Sequence, residues 1–160
     1  MESNGKISRG YLVSLLVLMV ILPAISVGVE YFPYPGAPIM PLVGKWFVFW
    51  AIGVRLFAAG LRQVAKPLFT LRDIFHVHDP SGQVVVRELG FANVCFGLAG
   101  ILSLFISDWR PAAAFTGGLY MGIAGVYHLI KKPETPNEVV AMVSDIYILV
   151  IMAAYLASIV

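Results

Sequence analysis

The sequence predicts an all-α fold, a bundle of transmembrane helices, on three observations. Hydrophobic residues make up 59% of the chain and charged residues 12%, and the mean hydropathy is +0.86, a balance too apolar for a water-soluble domain. The apolar residues are gathered into runs long enough to cross a bilayer core. The breaks between those runs hold most of the prolines, turn residues and charges. The chain of 160 residues is expected to form a single integral membrane domain with the lipid bilayer as its surroundings, its helices over about 11–29, 42–64, 89–106, 112–130 and 138–159. A formal net charge of +2 is too small to point to nucleic acid. The lone cysteine, Cys95, excludes an intrachain disulfide.

The first helix follows a short polar start carrying Lys6 and Arg9. Its uncharged run, residues 11–29, spans about 28 Å at the α-helical rise, enough for one crossing. A basic start followed by an apolar run and Ala24-Ile25-Ser26 also fits a cleaved signal peptide, which would leave four helices. Residues 30–41 carry prolines 33, 35, 38 and 41 among Tyr31, Phe32 and Tyr34 and read as an extended connector with aromatics at headgroup level.

The second helix, 42–64, is the one that demands explanation, because Arg55 lies near its middle and Arg62 two turns later on the same face, beside Ala58 and Ala59. An arginine in hydrocarbon costs at least ~2.5–3.5 kcal/mol on insertion scales, so it calls for a partner. Lys66-Pro67 ends this helix, and residues 68–75 have the apolar spacing of a short amphipathic segment at the cytoplasmic interface. His76-Val77-His78-Asp79 resembles half of a metal site but lacks further ligands nearby in sequence, so no metal is expected.

The third helix, 89–106, is preceded by Val84–Val86 and Arg87-Glu88 and brings Asn93, Gly97 and Gly100 close to one face. The fourth, 112–130, starts after Trp109-Arg110-Pro111 and contains Gly118-x-x-x-Gly122, a close-packing signal, with His128 a turn before Lys131-Lys132. Thr135-Pro136-Asn137-Glu138 reads as a capped start for the fifth helix, in which Asp145 is the one charge beyond the first turn. A lone carboxylate at that depth also requires a partner.

Lys and Arg set the orientation. With the N-terminus inside, Lys6, Arg9, Arg62, Lys66, Arg72, Arg87, Lys131 and Lys132 are cytoplasmic and Lys45 and Arg110 are outside. The expectation is therefore a multi-pass cell-membrane protein with a cytoplasmic N-terminus and an external C-terminus. This topology gathers Arg62, Glu88, Asn93, His128 and Asp145 in the cytoplasmic half, within reach of Arg55, and these six are the candidate ligand-binding residues. Arg55 and Asp145 are the expected ion pair, with Glu88 as the competing acid.

Five stretches carry a resemblance: Gly60-Leu61-Arg62-Gln63, Pro67-Leu68-Phe69-Thr70, Arg87-Glu88-Leu89-Gly90-Phe91-Ala92-Asn93, Trp109-Arg110-Pro111-Ala112 and Ala141-Met142-Val143-Ser144-Asp145. The chain from Gly60 onward resembles a family of small prokaryotic multi-pass membrane proteins of unassigned function, similar in broad build to the DoxX-like four-helix proteins. The resemblance implies a helical bundle in the cytoplasmic membrane and carries over no catalytic residue. DoxX-like proteins suggest quinone-linked chemistry by analogy alone.

Three functional classes follow. In the first, the buried Arg and Asp line a pocket that binds or transports a small polar or anionic ligand. In the second, a membrane enzyme or redox subunit uses Glu88, His128 or Asp145 for proton transfer to a quinone; no haem-ligand pair, flavin fingerprint or CxxC motif accompanies it, and no cofactor is named. In the third, the charges only direct packing within a homo-oligomer or a larger membrane complex.

Overall fold

The computed structural model describes residues 7–160, so Lys6 lies outside the described residues. Its five long helices are apolar enough to cross a membrane: α1 Arg9–Tyr31, α2 Ile39–Ala65, α3 Pro80–Leu102, α4 Ser107–Lys131 and α5 Pro136–Ala157. No strand forms among the described residues. The protein is an all-α, multi-pass membrane bundle.

Three helix ends differ from the sequence expectation, two of them, the starts of α3 and α2, for identifiable reasons. The α3 helix begins well before residue 89, because Asp79 accepts a hydrogen bond from the Ser81 N–H at 2.9 Å and Pro80 opens the first turn. That backbone donor also holds the exposed Asp79 carboxyl below its ordinary range. Val84–Val86 and Arg87-Glu88 are thus helical, and the helix stops at Leu102 rather than 106. At the start of α2, Pro41 sits inside the first turn, where its missing N–H costs no helical bond, so only residues 32–38 form the connector.

Helix packing divides the bundle into two tight pairs. The α2 and α3 helices touch backbone to backbone: a Cβ at Gly60 would stand 2.6 Å from the Gly90 carbonyl oxygen, and one at Gly97 would overlap the Phe57 backbone. The α4 and α5 helices meet at Gly118 and Gly122, where an added Cβ would approach Met152 Cβ and Leu149 Cδ1, each to 2.7 Å. Lipid tails are as apolar as the side chains, so such association rests on van der Waals contact, which small residues increase by letting the backbones approach.

The two pairs join at the end of the bundle that holds the α1–α2 connector. There Gly117 of α4 abuts Ile52 of α2, and Gly44 of α2 accommodates the Tyr155 ring of α5. The α1 helix is pinned to α2 at the same end, where the Glu30 carboxylate accepts two bonds from Lys45 Nζ at 2.8 Å and one from Trp46 Nε1 at 2.7 Å. Met19, Val48, Ile52, Leu56, Ile148 and Met152 fill the core between the pairs.

Stretches of π-helix interrupt α1 at Val17–Ile21 and α2 at Val48–Val54. Such i→i+5 turns are uncommon and often accompany functional positions, because each wider turn rotates everything that follows. The stretch in α2 ends immediately before Arg55 and so sets the direction of that side chain.

Candidate functional site

At the opposite end the two helix pairs part around a cavity of about 870 Å³. The start of α1, the end of α2, the start of α3, the end of α4 and the start of α5 all contribute to its wall. The segment after α2 closes part of it. The short amphipathic segment expected over residues 68–75 is helical over 68–74, ending in a π turn at Thr70–Ile74, with Leu71 and Ile74 buried and Arg72 and Asp73 exposed. Phe69, Thr70, Ile74 and Phe75 therefore face the cavity.

The deepest charged contact in the wall joins the two pairs. Arg55 Nη2 of α2 donates to Asp145 Oδ1 of α5 at 3.3 Å, with side chains 14% and 9% exposed. Each ion alone would be costly in a low-dielectric interior, and the contact also bridges the gap between α2–α3 and α4–α5. Tyr11 of α1 lies beside the guanidinium and lines the same wall.

Asn93 of α3 is the second buried polar group, 4% exposed. Its Nδ2 donates to Gln63 Oε1 at 2.6 Å, while Oδ1 is buried without a partner among the described residues. A buried acceptor left unpaired costs about 1–3 kcal/mol.

A third cluster centres on Glu138, which is 1% exposed in the first turn of α5. Its Oε2 accepts from the Glu134 N–H at 2.8 Å. His76 Nε2 lies 3.3 Å from Oε2 and His128 Nδ1 3.6 Å from Oε1. Both imidazole nitrogens are buried, and neither makes a hydrogen bond among the described residues. His76 holds this position with a left-handed φ of 56°, a conformation uncommon outside glycine though less so for His than for bulkier residues. No group of three or more His, Cys, Asp or Glu among the described residues is arranged to hold a metal ion.

Arg55, Arg62, Asn93, His128 and Asp145 thus all line one cavity, although four helices supply them. Arg62 is at the exposed rim, its guanidinium 4.0 Å from the centre of the Phe69 ring. Glu88 does not join them. It is exposed on α3 and absent from the wall, because the glycine contact turns Gly90 toward α2 and Glu88, two residues and so about 200° away around the helix, falls on the outer side.

Sequence reasoning passed over Gln63 and Glu138 as site residues. For Glu138 the signal was present but had another reading: Thr135 Oγ1 accepts from the Glu138 N–H at 3.3 Å, as in a capping box, while the carboxylate turns to Glu134 and the imidazoles instead of to the Thr135 N–H. Comparison of the chain with family models, with characterised proteins and with solved structures returns no match.

Proposed function

We propose that this protein binds, and by virtue of its place in the membrane carries or presents, a small polar or anionic ligand in the cavity between its two helix pairs. One observation carries the reading. Of four buried side-chain polar atoms without a hydrogen-bond partner among the described residues, two, Asn93 Oδ1 and His128 Nδ1, belong to residues that line this cavity. Native proteins leave few such atoms, and a concentration of them around one void fits groups that a ligand completes. The volume lies within the range of small-molecule sites.

The same reading places the protein in the cell membrane with the cavity toward the cytoplasm. Among the described residues, Arg9, Arg62, Lys66, Arg72, Arg87, Lys131 and Lys132 all belong to the cavity end, and Lys45 and Arg110 to the other, which supports a cytoplasmic N-terminus.

Native mass spectrometry of protein extracted in mild detergent tests the assignment. The expected spectrum shows one small molecule retained in a one-to-one complex, lost in Asn93→Leu while the protein stays folded. A wild-type spectrum without any retained molecule, and no thermal stabilisation by any member of a library of polar metabolites, would remove the basis for a ligand site.

A further inference from the structure

We infer that the ligand is an amphipathic anion, its charged head held between Arg62 and Lys131 and its apolar chain leaving the cavity between α3 and α4. The inference rests on the cavity being a ligand site and adds the chemical class.

The charges around the wall are not balanced evenly along its length. Deep in the cavity Arg55 and Asp145 neutralise each other. The Glu138 carboxylate is occupied by the Glu134 N–H and flanked by two imidazoles. At the rim, Arg62 and Lys131 are exposed, line the cavity, and have no carboxylate within ion-pair distance among the described residues. The rim therefore offers two cations to an incoming anion, one of them a guanidinium able to grip a carboxylate or phosphate with two N–H groups.

The wall also has an opening that is wrong for a fully hydrophilic anion. Ile123 and Tyr127 of α4 face the cavity and yet are 62% and 63% exposed. Leu89 of α3 also lines the cavity, and deeper in the bundle α3 and α4 are joined by Phe96 stacking on Tyr120 at 5.0 Å between ring centres. Ile123 stands about 12 Å along the helix from Lys131, a depth inside one leaflet of a hydrocarbon core about 30 Å thick. The window thus faces lipid tails while the rim faces headgroups. A neutral apolar ligand would leave the two rim cations unused, and a small hydrophilic anion would leave a greasy slot open beside it. An anion bearing an apolar chain satisfies both, and the buried Asn93 Oδ1 gives a further hydrogen-bond donor on it a place to bind. Free amphiphilic carboxylates and anionic bilayer lipids share this chemistry.

The test uses the full chain in phosphatidylcholine nanodiscs at mildly alkaline pH, photolabelled with a diazirine-bearing dodecanoate. Labelled peptides are mapped by mass spectrometry. Label is expected on the stretches containing Leu89 and Asn93 and containing Ile123 and Tyr127, displaced by dodecanoate and not by dodecanol or butyrate. Arg62→Gln/Lys131→Gln should raise the dodecanoate concentration for half displacement about tenfold or more, since charge-assisted bonds to two cations are lost. Arg62→Gln alone should give part of that rise and serves if the double variant does not fold. Displacement by phosphatidylglycerol in the disc assigns the chemistry to a bilayer lipid, and displacement by dodecanoate alone to a free amphiphile; either supports the inference. Equal displacement by dodecanol, or an unchanged half-displacement in both variants, overturns the anion assignment while leaving the cavity as a ligand site. Label spread evenly over lipid-facing side chains such as Phe105 and Phe115, with no competition, overturns the inference together with the ligand site itself.

Discussion

Replacing Arg55 by Met and Asp145 by Leu, singly and together, probes the contact that joins the two helix pairs. At the observed 3.3 Å separation and an effective dielectric constant of about 20, the Coulomb attraction is about 5 kcal/mol before desolvation is subtracted. Losing one member of a buried pair costs about 3–5 kcal/mol because the other ion is stranded. The contact here is a single N–O approach rather than a bidentate fork, and it borders an 870 Å³ cavity that water can enter, so the low end applies. Each single substitution should therefore destabilise the protein by about 3 kcal/mol, whereas the double substitution, which strands no ion, should cost about 0–1 kcal/mol rather than the about 6 expected of independent losses. Reversible unfolding in mixed micelles titrated with SDS, followed by helicity, gives the four free energies of the cycle. Single effects that add to within about 0.5 kcal/mol would falsify the coupling and reduce the pair to two neighbouring polar groups.

Three further outcomes are expected. Gly97→Ala should destabilise by about 1–3 kcal/mol because its Cβ meets the Phe57 backbone, which cannot rotate away, whereas Gly28→Ala, whose Cβ has only Phe32 Cε2 at 3.9 Å, should be neutral; equal melting temperatures for the two variants would contradict the α2–α3 contact. Glu138→Ala removes the acceptor of the Glu134 N–H and the carboxylate that faces His76 and His128 and should cost about 1–3 kcal/mol, more than His76→Ala or His128→Ala, and thermal unfolding of the three variants in one detergent ranks them. In a Cys95→Ser background, Ser81→Cys should react with a membrane-impermeant maleimide only after cells are opened, and prompt labelling of intact cells would reverse the orientation. Ser81 is exposed and so suits the reagent better than the adjacent Gly82, whose added Cβ would stand 2.7 Å from Leu71 Cδ1.

Most of the fold was legible because a membrane simplifies it. Five apolar runs of sufficient length become five helices, and each crossing of the bilayer reverses the direction of the one before. The errors lie where polar local signals outweigh hydropathy: the start of α3 is governed by Asp79 and Pro80 rather than by where the apolar run begins. The π stretches had no visible signal, since Val48–Val54 has the same apolar composition as an ordinary helical segment. In the site, Arg55 and Asp145 could be paired in advance because each is a lone buried charge at a comparable depth. Glu88 could not be excluded in advance, since its direction depends on the α2–α3 crossing, and that crossing is dictated by Gly53, Gly60, Gly97 and Gly100 acting together. The Glu138 cluster depends on His76, which reaches α5 only because of the backbone turn after Phe75.

The glycine contact between α2 and α3 also bears on how the cavity can change size. Where two backbones touch, neither helix can slide or tilt without lifting off the other, so the pair behaves mechanically as a single stiff plank. The α4–α5 contact at Gly118 and Gly122 makes a second plank, and Ile52 seated against Gly117, with Tyr155 against Gly44, acts as the pivot at their joined ends. Dilation of the site then has one soft coordinate, the angle between the planks. Arg55 and Asp145 span that angle on the open side of the pivot, so a ligand that draws either ion away would loosen the restraint on its own exit.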